Sequence, residues 1–566
     1  MNAPTRHADE PLLLTGLLLT LILAQLSHNL LPHRLRPGKR PVGVWLLQQL
    51  GLACLYSLIL LLVDGRPLLS SLLVLVLLAI VLVVNQAKFH ALREPLLFSD
   101  LYLYLQVFRH PRLFLPFLNL PLVLGASLLG AGLLYAALQL EPPHEYGSHY
   151  PYSLLAGLAL PGWLSWRLAR DLPLTFDPDC DVQQLGLYVS LLVYGIQTRL
   201  PVNRQALQTT LANSHLAPPD AISRTILQPP DKRPDIVVVQ SESFFDARRL
   251  PADIRTKILA HFDHVHGESL LHGRLDTPAW GANTLRPEFS FLSGISNRAL
   301  KHYRFNPYAF LPAQPLTSIV SVLNELGYEC LCIHPNQAGF FNRDQVFPQL
   351  GFQQFIDIDG FTHPERAGPY VSDAACAGKI LEQLQAPRPQ QRPRFIFAIT
   401  MENHGPLHLE PLAAGALRHY RTPPAFRHHD LTVYLHHLHN ADRMLHQLTQ
   451  ALRQQERQAL LCWYGDHVPS MPAVYQDLGY PDGATDFLLW HNQHPSNTSQ
   501  PQSALLKPDA LAQQLLQTVI RLASEPSEHH GTGETTAPLS GSCQYQQPGS
   551  PPGPAQTGPA PDAPIP

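Results

Sequence analysis

Two kinds of apolar spacing divide the chain. Up to about residue 170 the leucine-rich runs are unbroken: 12–31, 44–63, 68–84 and 118–138. Each approaches the length of about 20 residues that crosses a bilayer. A fifth run, 153–168, is interrupted by Pro161 and Gly162, and 185–196 is a short sixth candidate crossing. A cleaved leader is not followed by so many further runs, so the pattern predicts a multi-pass anchor. From residue 234 the period changes. Short apolar runs at 236–239, 330–333, 395–399 and 460–464 alternate with amphipathic helical stretches, which predicts an α/β domain built on a mainly parallel sheet. The expected organisation is an anchor over 1–172, a linker with a membrane-associated helix over 173–233, a catalytic domain over 234–524 and a disordered tail over 525–566.

Composition changes this picture little. A net charge of −3 over 566 residues supplies no electrostatic footprint for nucleic acid. The seven cysteines form no CxxC pair, so neither a zinc knuckle nor a disulfide framework is expected, and Cys330 and Cys332 read as strand core. Charge does bear on topology. Arg34, Arg36, Lys39 and Arg40 follow the first run, and Lys88, Arg93, Arg109 and Arg112 precede the fourth. The positive-inside rule puts both linkers in the cytoplasm, so an even number of crossings would export the domain and five would retain it. The stretch 89–117 mixes aromatics with arginines and reads either as an amphipathic segment at headgroup level or as an ordinary loop.

The chemistry gathers at strand ends. The four apolar runs of the second half stop at Gln240-Ser241-Glu242-Ser243, His334, Thr400-Met401-Glu402-Asn403-His404 and Gly465-Asp466-His467. Ligands bind beyond the carboxyl ends of strands in open α/β sheets, so these termini should converge. Thr284 follows a flexible Gly281-Ala282-Asn283 run and opens a helical pattern. It reads as an N-cap or as a nucleophile beside a helix N-terminus. Glu242, Thr284, Asp466 and His467 together offer three oxygens and a nitrogen, a donor set for manganese, magnesium or zinc. A metal on the Thr284 oxygen would favour its alkoxide, and no general base is visible to do so otherwise. Of the 29 histidines, the pairs His428-His429 and His436-His437 lack zinc-ligand spacing and read as solvated. Arg286 has two readings, toward phosphate or toward solvent.

QSESFFD, GANTLRPEFSFLSG, FFNRD, TMENHGP and YGDH, in this order, resemble the motifs of the lipoteichoic acid synthase and phosphoglycerol transferase family of the alkaline phosphatase/sulfatase superfamily. The likeness covers roughly 234–522. It implies a metal site of Glu242, Thr284, Asp466 and His467 with Thr284 as nucleophile, manganese first among the metals, and His404 and Arg343 holding the glycerol phosphate group. Phe341 stands where some members have tryptophan. Arg343 also has a purely structural reading, paired with Asp344 or a surface carboxylate. The implied reaction moves phosphoglycerol from phosphatidylglycerol in the membrane to a glycan or glycolipid acceptor. The expected place is the inner membrane, with the domain on its outer face. A phosphoethanolamine transferase, a phosphodiesterase or sulfatase-type hydrolase, and a membrane sensor or scaffold are the alternatives. Thr284-Leu285-Arg286 departs from the modifiable Cys/Ser setting a sulfatase needs.

Overall fold

The computed structural model describes residues 10–104, 120–141, 150–214, 216, 227–311, 316–422, 424, 428–493 and 502–524. The tail expected from 525 lies outside them. Among the described residues there are ten strands: β1 (Asp235–Ser241), β2 (Leu271–Leu275), β3 (Glu329–Ile333), β4 (Gln354–Ile356), β5 (Arg366–Ala367), β6 (Tyr370–Val371), β7 (Arg394–Ile399), β8 (Ala459–Gly465), β9 (Thr485–His491) and β10 (Gln502–Leu506). Eight form one sheet in the order β10-β2-β9-β8-β1-β7-β3-β4, while β5 and β6 pair separately. The four strands expected from apolar runs, β8, β1, β7 and β3, are consecutive neighbours and all parallel. Their carboxyl ends therefore share one edge.

The run IVVV of β1 is apolar at every position because both sheet faces are covered. Val237 and Val239 enter one core layer, Ile236 and Val238 the other. Each such side chain contributes about 1.5–3 kcal/mol on burial, before conformational entropy is subtracted. Helices Ala260–Glu268, Asp373–Gln385 and His429–Gln454 cover the first face, and Leu285–Ser293, Ile319–Glu325 and Pro508–Ala523 the second. The expected mainly parallel sheet flanked by helices is the observed fold.

Among the described residues, four helices in the first part are long and apolar enough to cross a membrane: Leu13–Leu30, Val42–Leu62, Pro67–Leu92 and Val123–Leu140. Leu14, Leu18, Ile22, Leu62, Leu128 and Leu129 stand exposed on them, as lipid-facing side chains do. Tyr150–Asp171 continues as one helix through Pro161. The candidate crossing at 185–196 is corrected. Gly186, at φ 79°, separates Pro178–Leu185 from Leu187–Gln197. Eleven residues rise only about 16 Å, roughly half the hydrocarbon thickness, and Leu187, Val189, Val193 and Tyr194 are buried in protein. Within the expected linker, Pro201–Ala212 is helical and sends Leu207 and Leu211 into the core of the second face.

The stretch before the fourth crossing also departs from expectation. Residues 105–119 lie outside the description, but the preceding part does not lie free at headgroup level. Lys88 is buried against Glu94 at 2.8 Å and Asp100 at 2.6 Å. Arg93 lies 3.7 Å over the Tyr480 ring. Arg286 takes Glu94 through both guanidinium nitrogens at 2.9 Å. The start of this linker therefore packs against the catalytic domain. The charge count treated Lys88 and Arg93 as free, whereas they fold against carboxylates and aromatics.

Candidate active site

Glu242, Asp466 and His467 meet at the carboxyl ends of β1 and β8. One ligand atom from each lies within 4.8 Å of the other two, and all three side chains are buried. Local chain chemistry makes this possible. A Cβ at Gly465 would fall 1.9 Å from the Phe244 carbonyl oxygen, so only glycine lets the end of β8 come so close to the loop after β1. Ser243 adopts φ 53°, a conformation disfavoured for a residue with a Cβ. That turn is clamped: the Ser243 N–H donates to Asp466 Oδ1 at 2.8 Å, and the Tyr434 hydroxyl donates to the Ser243 carbonyl at 2.8 Å. Thr400 Oγ1 accepts from the Glu242 N–H at 2.9 Å.

The donor set fits a cation. Asp466 Oδ1 accepts from the Ser243 and His467 N–H groups, whereas Oδ2 is buried without a hydrogen bond. His467 Nδ1 lies 3.1 Å from the Val468 carbonyl oxygen, which can only accept. Nδ1 thus carries the proton, and the Nε2 lone pair faces Glu242 Oε1 at 3.5 Å and Asp466 Oδ2 at 3.3 Å. Three electron-rich atoms at this spacing repel unless a cation or a proton lies among them, and a backbone carbonyl behind a histidine is a common second support for a metal ligand. Burial, and then the Asp466 charge, push the Glu242 carboxyl up to about 8.

Thr284 is at the N-cap position of helix Leu285–Ser293, 8 % exposed, and its hydroxyl makes no capping hydrogen bond. The bland reading of Thr284 as a cap therefore has no bond behind it. Asn283 before it takes φ 70°, a left-handed conformation that asparagine tolerates. His404 is partly buried. Its Nδ1 lies 2.8 Å from the Gly405 carbonyl and 3.1 Å from the Tyr370 hydroxyl. Burial lowers its pKa, opposed by the Gly405 carbonyl and by Asp466.

Arg343 is 1 % exposed and spends its guanidinium inside the protein. Nε and Nη2 donate to Glu288 at 2.9 and 2.8 Å, and Nη1 lies 3.2 Å from His334 Nε2. Its partner is neither Asp344 nor a surface carboxylate. Glu288 sits on the helix that Thr284 opens and also accepts from Tyr308 and Gln240. Removing one member of such a buried pair costs about 3–5 kcal/mol, so Arg343 at the least holds the Thr284 helix in register. Phe341 and Asn342 before it both have positive φ, 59° and 57°.

Two further groups have buried roles that chain spacing does not show. Glu402, inside the TMENHGP motif, is fully buried and accepts from the Asp373 N–H and the Asn440 amide. His437 is not solvated: it is 3 % exposed and bridges Glu402 and Glu410 at 3.0 Å each. Burial lowers its pKa, but the two carboxylates outweigh burial and raise it to about 9. The missed signal was the helical pattern around it, which puts Tyr434, His437 and Leu438 on the buried face of His429–Gln454.

A family model described as Sulfatase matches residues 234–522. Over 423 residues the chain is 30 % identical to the capsular polysaccharide biosynthesis protein RkpI of Rhizobium meliloti, covering 72 % of this chain and 74 % of the relative. Among solved structures it is similar to the integral membrane protein lipooligosaccharide phosphoethanolamine transferase A (EptA) from Neisseria meningitidis. The TM-score is 0.55 at 13 % identity, over 89 % of this chain and 95 % of that one. It also matches the Streptococcus pyogenes phosphoglycerol transferase GacH in complex with sn-glycerol-1-phosphate, with TM-score 0.41 at 20 % identity, over 57 % and 86 % of the two chains.

Proposed function

The chain belongs to the sulfatase family, and from that premise we propose that it is a metal-dependent, membrane-anchored phosphoglycerol transferase. The observation that carries the reading is the buried cluster of Glu242, Asp466 and His467, taken with the uncapped Thr284 hydroxyl at a helix N-terminus. A divalent cation held by the three ligands and Thr284 would supply positive charge that favours the alkoxide and offsets charge on an attacked phosphate. Thr284 Oγ1 forms a bond to the phosphorus of phosphatidylglycerol, and the bond to diacylglycerol breaks. The proton that Thr284 gives up goes to the leaving oxygen, with His404 as the group that can carry it. An acceptor hydroxyl then attacks the phosphothreonine, loses its proton, and carries phosphoglycerol away, restoring Thr284. The five sequence motifs support glycerol as the head group, and the likeness to RkpI, a capsular polysaccharide biosynthesis protein, supports a glycan acceptor.

A second reading, transfer of phosphoethanolamine, is favoured by the fold likeness to EptA over 95 % of that chain. The two separate in one experiment. The full chain in detergent, loaded with manganese, is incubated with phosphatidylglycerol or phosphatidylethanolamine carrying a labelled head group, and the Thr284 peptide is read by mass spectrometry. Glycerol phosphate on Thr284 and released diacylglycerol are expected from the first lipid only. Label from the second lipid alone would replace this reading with the other.

In this reading Tyr150–Asp171 is a fifth crossing. Its 22 residues rise about 33 Å, enough to return the chain to the side shared by Glu94 and the domain. That side is the outer face of the inner membrane, where a lipid head group and a surface polysaccharide are both at hand. The basic residues of the first linker, Arg34 among them although it pairs with Asp179 at 2.6 Å, argue for the opposite side. Protease added to intact spheroplasts is expected to cleave the domain; protection until lysis would place it in the cytoplasm and end the outer-face assignment.

A further inference from the structure

The loop that delivers Thr284 rests on the end of a membrane helix. Gly281, at φ 66°, packs so closely on the last turn of Pro67–Leu92 that a Cβ would come within 3.2 Å of the Ala91 carbonyl oxygen and 3.3 Å of Leu92. The same Ala91 carbonyl accepts from Ser470 Oγ at 2.7 Å, three residues after His467. The neighbouring Arg93 lies over both Tyr480 and Trp280, at 3.7 and 5.6 Å from the ring centroids. Both the nucleophile loop and the loop that follows the metal ligands thus abut one helical turn.

Two residues beyond Thr284, Arg286 is 4 % exposed. It closes a bidentate pair with Glu94 at 2.9 Å and donates through Nε to the Phe305 carbonyl at 3.0 Å. Glu94 in turn meets Lys88 at 2.8 Å. Burial alone would raise the Glu94 carboxyl, yet Arg286 and Lys88 hold it down at about 2. A planar fork gripping a planar carboxylate fixes orientation as well as distance. Unlike Arg343, whose partner lies on the Thr284 helix itself, Arg286 ties that helix to the anchor.

We propose that Glu94 is a positioning residue for Thr284: held between Lys88 and Arg286, it locks the start of the nucleophile's helix to the lipid-embedded part of the chain. The inference rests on Thr284 being the nucleophile. The anchor then does more than tether the domain, because it sets the reach of the reacting hydroxyl. A displacement of about 1 Å at a reacting atom is enough to cost a hundredfold in rate.

The test uses the full chain in detergent, loaded with manganese, with Glu94→Gln, Glu94→Asp and Arg286→Lys. Turnover is read on head-group-labelled phosphatidylglycerol and on the soluble diester bis(p-nitrophenyl) phosphate, alongside metal content and melting temperature. Glu94→Gln, which keeps shape and loses charge, is expected to lower kcat on both substrates by at least about tenfold. KM should stay within about threefold, metal content should not change, and Glu94→Asp should recover part of the rate. A folded, metal-loaded Glu94→Gln protein with wild-type kcat overturns the proposal. So does a loss confined to KM for the lipid, which would mean docking on the membrane instead. If Glu94→Gln does not fold, Arg286→Lys keeps a buried charge, breaks the fork, and decides by the same split. Wild-type turnover of the diester but not of the lipid would refute the proposed donor while still reading the role of Glu94. Turnover of neither removes Thr284 as nucleophile, and this inference with it.

Discussion

Thr284→Ala is expected to lower transfer by on the order of a thousandfold or more while leaving a folded protein that still binds its metal. The prediction follows from what the hydroxyl does not do. It makes no capping hydrogen bond, so its removal should not fray helix Leu285–Ser293, and losing a small side-chain group at this 8 % exposed position should cost about 1 kcal/mol. Three ligands of the cluster remain in Glu242, Asp466 and His467, so metal content should persist. Activity alone would fall, because no alternative nucleophile stands at that place on the helix. Thr284→Ser, which keeps the oxygen, should retain measurable turnover. Steady-state rates, bound metal by mass spectrometry and a melting curve check all three statements, and full transfer by metal-loaded Thr284→Ala would refute the mechanism.

Asp466→Asn is expected to weaken metal binding by at least about a hundredfold and to change its pH dependence. In the metal-free cluster the Glu242 carboxyl sits at about 8, pushed up first by burial and then by Asp466. A metal must therefore displace a proton at pH 7, and the apparent affinity should rise about tenfold per pH unit below about 8 and level off above it. Asparagine removes one source of that upward shift, so the rising limb should move to lower pH even as affinity drops. The same shift has a consequence for stability. A carboxyl whose folded pKa is raised from 4.5 to about 8 stabilises the metal-free protein below 4.5, and that contribution is lost as pH climbs toward 8. Saturating metal should flatten this decline. Calorimetric titrations between about pH 6 and 9 measure the affinity limb, and an affinity independent of pH would mean that Glu242 is already ionised without metal.

Much of this arrangement was legible along the chain. Val237 and its neighbours announced a strand covered on both faces, and strand ends at Glu242, His334, Glu402 and Asp466 announced a common edge. Such signals are local, since apolar period and polar punctuation reflect the environment of consecutive residues. The cluster of Glu242, Asp466 and His467 follows from them once β1 and β8 are neighbours.

Partners distant in sequence were not legible. Arg343 finds Glu288, His437 finds Glu402 and Glu410, and Arg286 finds Glu94 across 192 positions. A charged side chain looks solvated until its counter-charge is known, because burial of an ion is tolerable only with a partner in place. The same blindness entered the charge count, which treated Lys88 and Arg93 as free when both are folded into contacts. By itself, then, the sequence determined which residue types could bind a metal, which strands would carry them, and that a membrane half precedes them. Only the tertiary structure decided which charges are neutralised and that the loop leading to Thr284 rests, through Gly281, on the end of a membrane helix. Those outcomes depend on pairings that chain spacing does not encode and that dense packing makes specific.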